Sequence, residues 1–222
     1  APMEVGEDTY VRCTSCDYAA NTESVRVAPA AALPLDGPAA EVVKTPDTPT
    51  IQTLVDLFNA RADLRRADRQ WTAADTLKNL VVKLKHPDGT FSTLAVGVPG
   101  DRDVDIKRLA AQVAPAEIEP FTDEDFAKNK HLAKGYIGPG ALGETKPAGI
   151  RFVVDPRIVA GTRWITGADK PGHHVKDLMM GRDFDPDGLI EAAEVQAGDT
   201  CPNCGKSLEI ARGVEIGHIF QL

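Results

Sequence analysis

Four cysteines are the residues whose types and spacing most clearly point to chemistry. Cys13 and Cys16 form one Cys-x-x-Cys pair near the start of the sequence, and Cys201 and Cys204 form a second pair near its end. Two such pairs offer four thiolates, the tetrahedral ligand set that Zn²⁺ prefers in structural sites. We therefore predict one structural zinc site that brings the two pairs together. Pairing of the thiols into disulfides is the alternative that the spacing leaves open.

Such a site would make the residues between the two pairs a separate body, inserted on a stem. We predict a zinc-ribbon-like stem from residues 1–27 and 195–222, with strands beside each cysteine pair and a last strand from Val214 to Leu222. Residues 28–48, rich in alanine and proline, predict a loose linker. Residues 49–194 then form the inserted domain.

The overall composition limits the kinds of partner. The chain has 222 residues, of which 42% are hydrophobic, and this is enough for one sizeable core. A net charge of −8 argues against binding nucleic acid over a broad basic surface. The local basic run at Lys78, Lys83, Lys85 and His86 could contact nucleic acid, or could be a solvated strand face. No apolar run approaches the length of a membrane span, so we expect no membrane partner and a cytoplasmic protein.

The periodicity of apolar residues predicts an α+β fold, a mixed β-sheet with packed helices. Helices are expected over 50–60, from about Thr72 to Asn79, and over 105–113 and 122–130. Strands are expected over 80–85 and 91–98, joined by a turn at 86–89, and over 150–154. A last hairpin is expected over 163–180.

Sequence signatures of covalent or metal catalysis are absent from the chain. It has no Gly-x-Ser-x-Gly elbow, no phosphate-binding loop and no His-Glu-x-x-His helix. An enzyme with this sequence would suit the hydrolysis of an activated ester, for which positioning and oxyanion stabilisation suffice. Lys78, the glycine-rich loop 138–143 and His174 could build such a site. Each could equally be structural: a solvated lysine, a tight turn, and a surface pair of His173 with His174.

Two segments carry a family resemblance. Residues 8–21 and 208–222 closely resemble the sequences that flank the editing insertion of bacterial-type prolyl-tRNA synthetases, and the body between them resembles the insertion itself. The resemblance covers essentially the whole chain. It implies a domain, inserted in a class II catalytic core, that hydrolyses alanine wrongly attached to tRNA(Pro). The implied partner is the 3′ end of tRNA(Pro) carrying a small mischarged amino acid.

The resemblance also implies site residues. Lys78 matches the family's lysine before an apolar strand, and Gly138-Pro-Gly-Ala-Leu-Gly143 matches its glycine loop. His174, eight residues before Arg182, matches the strand histidine. Lys78 would hold the 3′ end or the ester, the loop amides would hold the carbonyl oxygen, and His174 would position the aminoacyl group or water. The expected catalytic set is Lys78, His174, Gly138, Gly140 and Gly143.

A second implied set would shape the substrate pocket. Ile51 and Leu54 match a pair on the family's first helix that narrows the pocket, so that alanine enters and proline does not. Asp155 ends a matching Val-Val-x-Asp segment, and Ala141 and Leu142 lie within the loop. An extra stretch within 60–70, about ten residues, departs from the common bacterial pattern and could alter access to the pocket.

The intact synthetase implied by the resemblance would use ATP and Mg²⁺ to ligate proline and would form a homodimer. The chain alone should not aminoacylate, and His218 would line the synthetic site only in the intact enzyme. Two other hypotheses remain open at this point. One is a zinc-stapled module that binds the tRNA acceptor end without chemistry, and the other is an inactive remnant.

Overall fold

The computed structural model describes residues 8–213. The predicted strand Val214–Leu222, with His218, lies outside the described residues. The chain divides into two compact units. The smaller unit combines the residues up to Pro29 with those from Glu194 onward, and the larger unit runs from Ala30 to Ala193. No helix in the described part is long and apolar enough to cross a membrane.

The smaller unit contains a three-stranded antiparallel sheet. Strands β1 (Asp8–Cys13) and β2 (Ala19–Asn21) come from the first segment, and β11 (Leu208–Gly213) comes from the second. The order is β11-β1-β2, with Val11 opposite Ile210. Val11, Val25 and Leu208 are almost fully buried between these segments. Two stretches distant in sequence therefore form one small core.

The larger unit contains a five-stranded sheet. Its strands are β4 (Leu77–Lys85), β5 (Phe91–Pro99), β6 (Glu117–Pro120), β7 (Arg151–Val154) and β10 (Gly188–Leu189), in the order β10-β7-β5-β4-β6. The β4–β5 hairpin is antiparallel and turns at Gly89, whose φ of 83° favours glycine. Strand β7 runs parallel to β5 and to β10, so the sheet is mixed.

A second sheet of the larger unit has three antiparallel strands. Strands β3 (Glu41–Lys44), β8 (Arg163–Gly167) and β9 (His173–Met179) are ordered β3-β9-β8. The β8–β9 pair is the hairpin predicted over 163–180. Strand β3 was not predicted, and it lies within the supposed linker 28–48. The four residues of β3 are held by hydrogen bonds to β9, where Val43 lies opposite His174. The local sequence alone therefore did not predict this strand.

Three predicted helices are confirmed, and each begins after a capping side chain. They are α1 (Ile51–Ala60), α2 (Ile106–Val113) and α3 (Asp123–Lys128). Thr50, Asp105 and Thr122 accept hydrogen bonds from the first-turn amides, which otherwise have no partner. The α+β class is therefore confirmed.

The helix predicted from about Thr72 to Asn79 is wrong. Only a single 3-10 turn, Ala73–Asp75, forms there, and β4 already begins at Leu77. Strand β4 pairs with β5 over its whole length, from Leu77 opposite Pro99 to Lys85 opposite Phe91. This pairing outweighs the weak helical preference of the short segment. Lys78 consequently lies on a strand.

Candidate active site

A small cavity of about 200 Å³ lies in the larger unit where α1 begins, β4 begins and the β8–β9 hairpin turns. Four residues of the predicted site line it: Ile51, Leu54, Lys78 and His174. Its other lining residues are Thr76, Leu77, Asn79, Gly135, Ile137, Ile165, Thr166 and Gly167. The fold thus brings an apolar helix face, a cation and an imidazole to one small space.

Helix α1 supplies the apolar wall of this cavity. Ile51 and Leu54 are three residues apart and therefore share one face of the helix. Thr50 and Thr53 form a reciprocal capping box that fixes the start of the helix beside the cavity. Further along the same face, Phe58 packs edge-on against Trp71, with ring centroids 6.0 Å apart. The wall is consequently fixed at the start of the helix and by packing further along the same face.

The extra stretch within 60–70 is folded against this same helix. Leu64 is buried, and its carbonyl accepts a 2.9 Å hydrogen bond from the Trp71 indole. The guanidinium groups of Arg66 and Arg163 lie 4.9 Å and 5.5 Å from the centroid of the Trp71 ring. The stretch 60–70 therefore packs against helix α1 and is not part of the cavity lining.

Strand β4 contributes a charged and a neutral polar side chain. The Lys78 ammonium forms a salt bridge with Asp103, and 31% of its side chain remains exposed. The Asn79 amide donates to the Ile137 carbonyl at 2.9 Å and to the Thr166 hydroxyl at 3.1 Å. Asn79 thereby joins three walls of the cavity. Lys78 carries a positive charge in the lining of the cavity.

His174 is buried, with 7% of its surface exposed. Its Nδ1 lies 2.6 Å from the hydroxyl of Thr45, and its ring packs at 5.4 Å from that of Tyr136. Burial, with a smaller contribution from the neighbouring His173, lowers the pKa of His174 from 6.5 to about 4. The imidazole is therefore neutral at pH 7. His173 itself bonds the Pro171 carbonyl and stays outside the cavity lining.

The glycine loop 138–143 lies beside the cavity lining and is held by a carboxylate. Asp169 accepts the amide hydrogens of Gly138 at 2.7 Å and Ala141 at 2.9 Å. Gly143 donates its amide to the Ile150 carbonyl at 2.8 Å, and Gly140 is exposed. Three loop amides thus have acceptors within the protein. This differs from the expected arrangement, in which the loop amides face the ester oxygen.

Close backbone contact explains why this loop needs glycine. A Cβ atom on Gly138 would lie 1.9 Å from the Gly167 carbonyl oxygen, and one on Gly167 would lie 2.2 Å from the Tyr136 carbonyl carbon. The loop and the β8–β9 hairpin are therefore in direct backbone contact.

Burial raises the pKa of Asp169 to about 6, against the opposing effect of its hydrogen bonds from the Gly138 and Ala141 amides.

Three further residues of the predicted pocket lie outside the cavity lining. Ala141 and Leu142 are buried in the hydrophobic core. Asp155 is fully buried, and its carboxylate accepts hydrogen bonds from Arg157 and from the amides of Ala192 and Ala193. These contacts occupy both oxygens of Asp155 in holding the chain after β10. They fit a structural role better than the expected substrate contact.

A larger groove of about 1040 Å³ lies near the β4–β5 turn. Lys83, Phe91, Asp125 and Arg151 are among its lining residues, and none of the predicted site residues is. Lys83 forms a 3.2 Å salt bridge with Asp125. The groove holds a group with an altered pKa, because the amide and hydroxyl of Thr122, together with Lys83, lower the pKa of Asp125 to about 2. The small cavity is the stronger candidate because four residues of the predicted site line it.

The four cysteines form a compact cluster in the smaller unit. The Sγ atoms of Cys13, Cys16, Cys201 and Cys204 all lie within 4.8 Å of one another. The Cys13–Cys204 and Cys16–Cys201 separations are 3.4 Å and 3.7 Å. These exceed the disulfide bond length of about 2.0 Å, and they approach the edge of about 3.8 Å in a tetrahedron with Zn–S bonds of about 2.3 Å. The donor set and its spacing therefore fit a divalent metal ion.

Sequence reasoning missed four residues of the cavity and its surroundings: Thr45, Asn79, Thr166 and Asp169. Asn79 gave a usable signal, because a polar residue that follows Lys78 and precedes three apolar ones belongs to a strand face. Thr45 and Asp169 gave none, since their partners are 129 and 31 residues away.

Comparison with known proteins gives the class of this fold and site. Residues 45–184 match the family model described as "Aminoacyl-tRNA editing domain". The chain belongs to this family. The matched residues include the whole lining of the small cavity.

The particular relatives are proteins named proline--tRNA ligase. The chain is 60% identical to one from Nocardioides sp. and 61% identical to one from Kineococcus radiotolerans, over its full length in both cases. A third, from Cutibacterium acnes, is 59% identical over 98% of the chain. The chain spans only 38%, 37% and 37% of these relatives, respectively. It corresponds to their editing region.

Proposed function

We propose that the larger unit hydrolyses the ester between a small amino acid and the 3′ end of tRNA, with Ala-tRNA(Pro) as its substrate. The observation that carries this proposal is the small cavity that joins Ile51, Leu54, Lys78 and His174. Membership of the editing family supplies the reaction class. The name of the relatives supplies the tRNA.

The size of the cavity supports discrimination by exclusion. At about 200 Å³ it lies below the range of about 300–1,000 Å³ common for small-molecule pockets. Attraction alone distinguishes one methylene by only about 1–3 kcal/mol. A wall made of Ile51 and Leu54, fixed by the α1 cap, would instead reject proline by overlap while alanine enters.

The chemistry needs no protein nucleophile, because an aminoacyl ester is activated towards water. Lys78 would exchange Asp103 for the phosphate or ester of the 3′ end. The neutral His174 would direct a ring atom at the aminoacyl group. With the Gly138 and Ala141 amides bound to Asp169, the loop would act mainly by holding the residues beside the cavity.

The setting of this domain is part of the proposal. Because the relatives are longer, we infer that the chain is one region of a dimeric, cytoplasmic proline--tRNA ligase that uses ATP and Mg²⁺ for aminoacylation. In the smaller unit, Cys13, Cys16, Cys201 and Cys204 would bind a structural Zn²⁺ in a zinc-ribbon-like arrangement. In that site, Zn²⁺ would supply a tetrahedral crosslink between two segments that are distant in sequence.

The test compares deacylation of Ala-tRNA(Pro) and Pro-tRNA(Pro) by the 222-residue chain and two variants. We expect the chain to release alanine and spare proline. Lys78→Ala should lower kcat/KM for alanine release by at least about 100-fold, because a charged contact to the substrate is lost. Lys85→Ala is the matched control, since Lys85 lies on the same strand but pairs with Glu117 away from the cavity.

Other results would overturn the proposal. Equal hydrolysis of both substrates would contradict exclusion by size. Binding of tRNA without release of either amino acid would favour a binding module, and neither binding nor release would favour an inactive remnant. Unchanged turnover in Lys78→Ala would remove Lys78 from the site.

A further inference from the structure

Thr45 is a residue to which the sequence gave no role. It follows β3 immediately, is fully buried, and lies outside the lining of the small cavity. Its backbone is fixed, because its amide donates to the Gly172 carbonyl at 2.9 Å and its carbonyl accepts from the Thr48 hydroxyl at 3.0 Å. Its hydroxyl oxygen lies 2.6 Å from Nδ1 of His174.

The hydrogen-bond chemistry of this pair selects one tautomer of the imidazole. Within residues 8–213, the hydrogen-bond partner of the Thr45 hydroxyl is Nδ1 of His174. If Thr45 donates, its proton is satisfied and Nδ1 is the unprotonated acceptor. If Nδ1–H donated instead, the buried Thr45 hydroxyl proton would be left without an acceptor, which is unfavourable. Both groups are therefore satisfied when the Thr45 hydroxyl donates to the Nδ1 lone pair and the ring proton of His174 is on Nε2.

The remaining ring nitrogen determines what His174 offers to a ligand. His174 lines the cavity, and its Nδ1 is engaged by Thr45, so Nε2 is the polar ring atom left for the cavity. With the proton on Nε2, that atom is a hydrogen-bond donor and cannot act as a base. Burial keeps the ring neutral, with its pKa at about 4. The charged or titratable groups around it are His173 beside it, Tyr136 packed against its ring, and Lys78, which also lines the cavity.

We propose that Thr45 is a positioning residue that holds His174 in the Nε2–H tautomer, so that His174 donates a hydrogen bond to the ester oxygen as negative charge develops there. This proposal rests on the function proposed above. It also gives the oxyanion a donor other than the Gly138 and Ala141 amides, which Asp169 engages. As the ester C–O bond breaks, a proton of the attacking water passes to the leaving ribose oxygen, and His174 takes no part in that transfer.

The experiment first reads the tautomer without any substrate. Long-range proton–nitrogen correlation spectra of the chain distinguish Nδ1–H from Nε2–H, and the His174→Asn spectrum identifies the His174 signals. We expect Nε2–H in the wild-type chain and in Thr45→Ser, which keeps the hydroxyl. Thr45→Val keeps the side-chain shape but removes the donor, and should give a mixture of tautomers. Thr90→Val is the matched control, since the Thr90 hydroxyl donates to Asp88 in the exposed β4–β5 turn.

The second readout is deacylation of Ala-tRNA(Pro). Thr45→Val should lower kcat about 10-fold with KM changed less than twofold, a smaller loss than the about 10²–10³-fold that follows complete removal of one oxyanion donor. Thr45→Ser and Thr90→Val should stay within twofold of wild type. Between pH 5.5 and 7.5, wild-type activity should show no step from protonation of His174.

The outcomes separate this proposal from the function on which it rests. A wild-type His174 with its proton on Nδ1, or an unchanged tautomer in Thr45→Val, overturns the role of Thr45 whatever the activity. The expected tautomers with no hydrolysis by the wild-type chain overturn the proposed function and the oxyanion role together, and leave Thr45 as a structural partner. Equal kcat in Thr45→Val and wild type, with a changed tautomer, overturns the catalytic part alone.

Discussion

The two compact units of the chain are stabilised by different means. The smaller unit buries few apolar side chains, among them Val11, Val25 and Leu208, and places four cysteine sulfurs at metal-binding distance. The larger unit has extensive apolar clusters on its sheets, with Phe152 and Val154 fully buried. A small core needs a crosslink, whereas the larger unit buries His174 and three aspartates, Asp75, Asp155 and Asp177. The candidate site lies in the larger unit.

Metal removal should give the largest difference in stability between the two units. If zinc holds the smaller unit, a strong chelator or Cys201→Ser should abolish amide protection in β1 and β11, because structural zinc supplies about 10–16 kcal/mol in small domains. The amides of β4 and β5 should keep theirs. Hydrogen exchange with mass spectrometry, together with the zinc content of the purified chain, checks both expectations. Ser15→Ala is the control, since Ser15 contacts Cys13 through its backbone amide. Equal loss of protection in both units would contradict the comparison.

A core truncation should have the reverse effect. Phe152→Ala should destabilise the larger unit by about 3–5 kcal/mol, because it leaves a cavity among fully buried side chains. Urea unfolding followed by tryptophan fluorescence measures this unit alone, since Trp71 and Trp164 both belong to it. Phe91→Ala, at a side chain that is 56% exposed, should cost less than about 1 kcal/mol. Similar costs at the two positions would show that burial does not stabilise this unit as described.

The smallest effect expected concerns pH and the polar groups around the cavity. The pKa of Asp169 is raised to about 6, so the folded unit holds an extra proton and Asp169 makes it less stable as pH rises from about 4 to 6. The pKa of His174 is lowered from 6.5 to about 4, so the unfolded chain holds the extra proton and His174 makes folding more favourable as pH rises over nearly the same range. The two dependences oppose each other, and the wild-type curve should be nearly flat.

Single substitutions should expose each dependence. In Asp169→Asn the urea midpoint should rise between pH 4 and 6.5, and in His174→Asn it should fall between pH 4 and 6. Tryptophan fluorescence again follows the larger unit. Asp88→Asn, in the exposed β4–β5 turn, is the control. Parallel curves for all the proteins would show that neither Asp169 nor His174 has the assigned pKa.

Local sequence signals predicted the helices because their cause is local. Thr50, Asp105 and Thr122 cap helices whose apolar residues recur at helical spacing, and each helix begins at the expected position. The turn at 86–89 was likewise predicted from its own residues, because Gly89 has the positive φ that the turn needs. Strand β3 and the true start of β4 were not predicted, because their hydrogen-bond partners lie in β9 and β5.

The site was predicted in part for a similar reason. The resemblance named Ile51, Leu54, Lys78 and His174, and the fold brings all four to one cavity. The same resemblance named Asp155 and the loop amides, whose partners in this chain are Arg157 and Asp169. A motif identifies residue types, but the contacts that each polar atom makes depend on neighbours far away in the sequence.

The sequence by itself determined the family, the α+β class, the capped helices and the cysteine pairs, since each depends on residue identity or on short spacing. Only the tertiary structure decided that Thr45 meets Nδ1 of His174, that Asp169 engages the glycine loop, and that the cavity is about 200 Å³. The physical reason is that hydrogen-bond direction, burial and cavity size arise from packing between distant segments. Those properties lower the pKa of His174 and bring the Thr45 hydroxyl to its Nδ1.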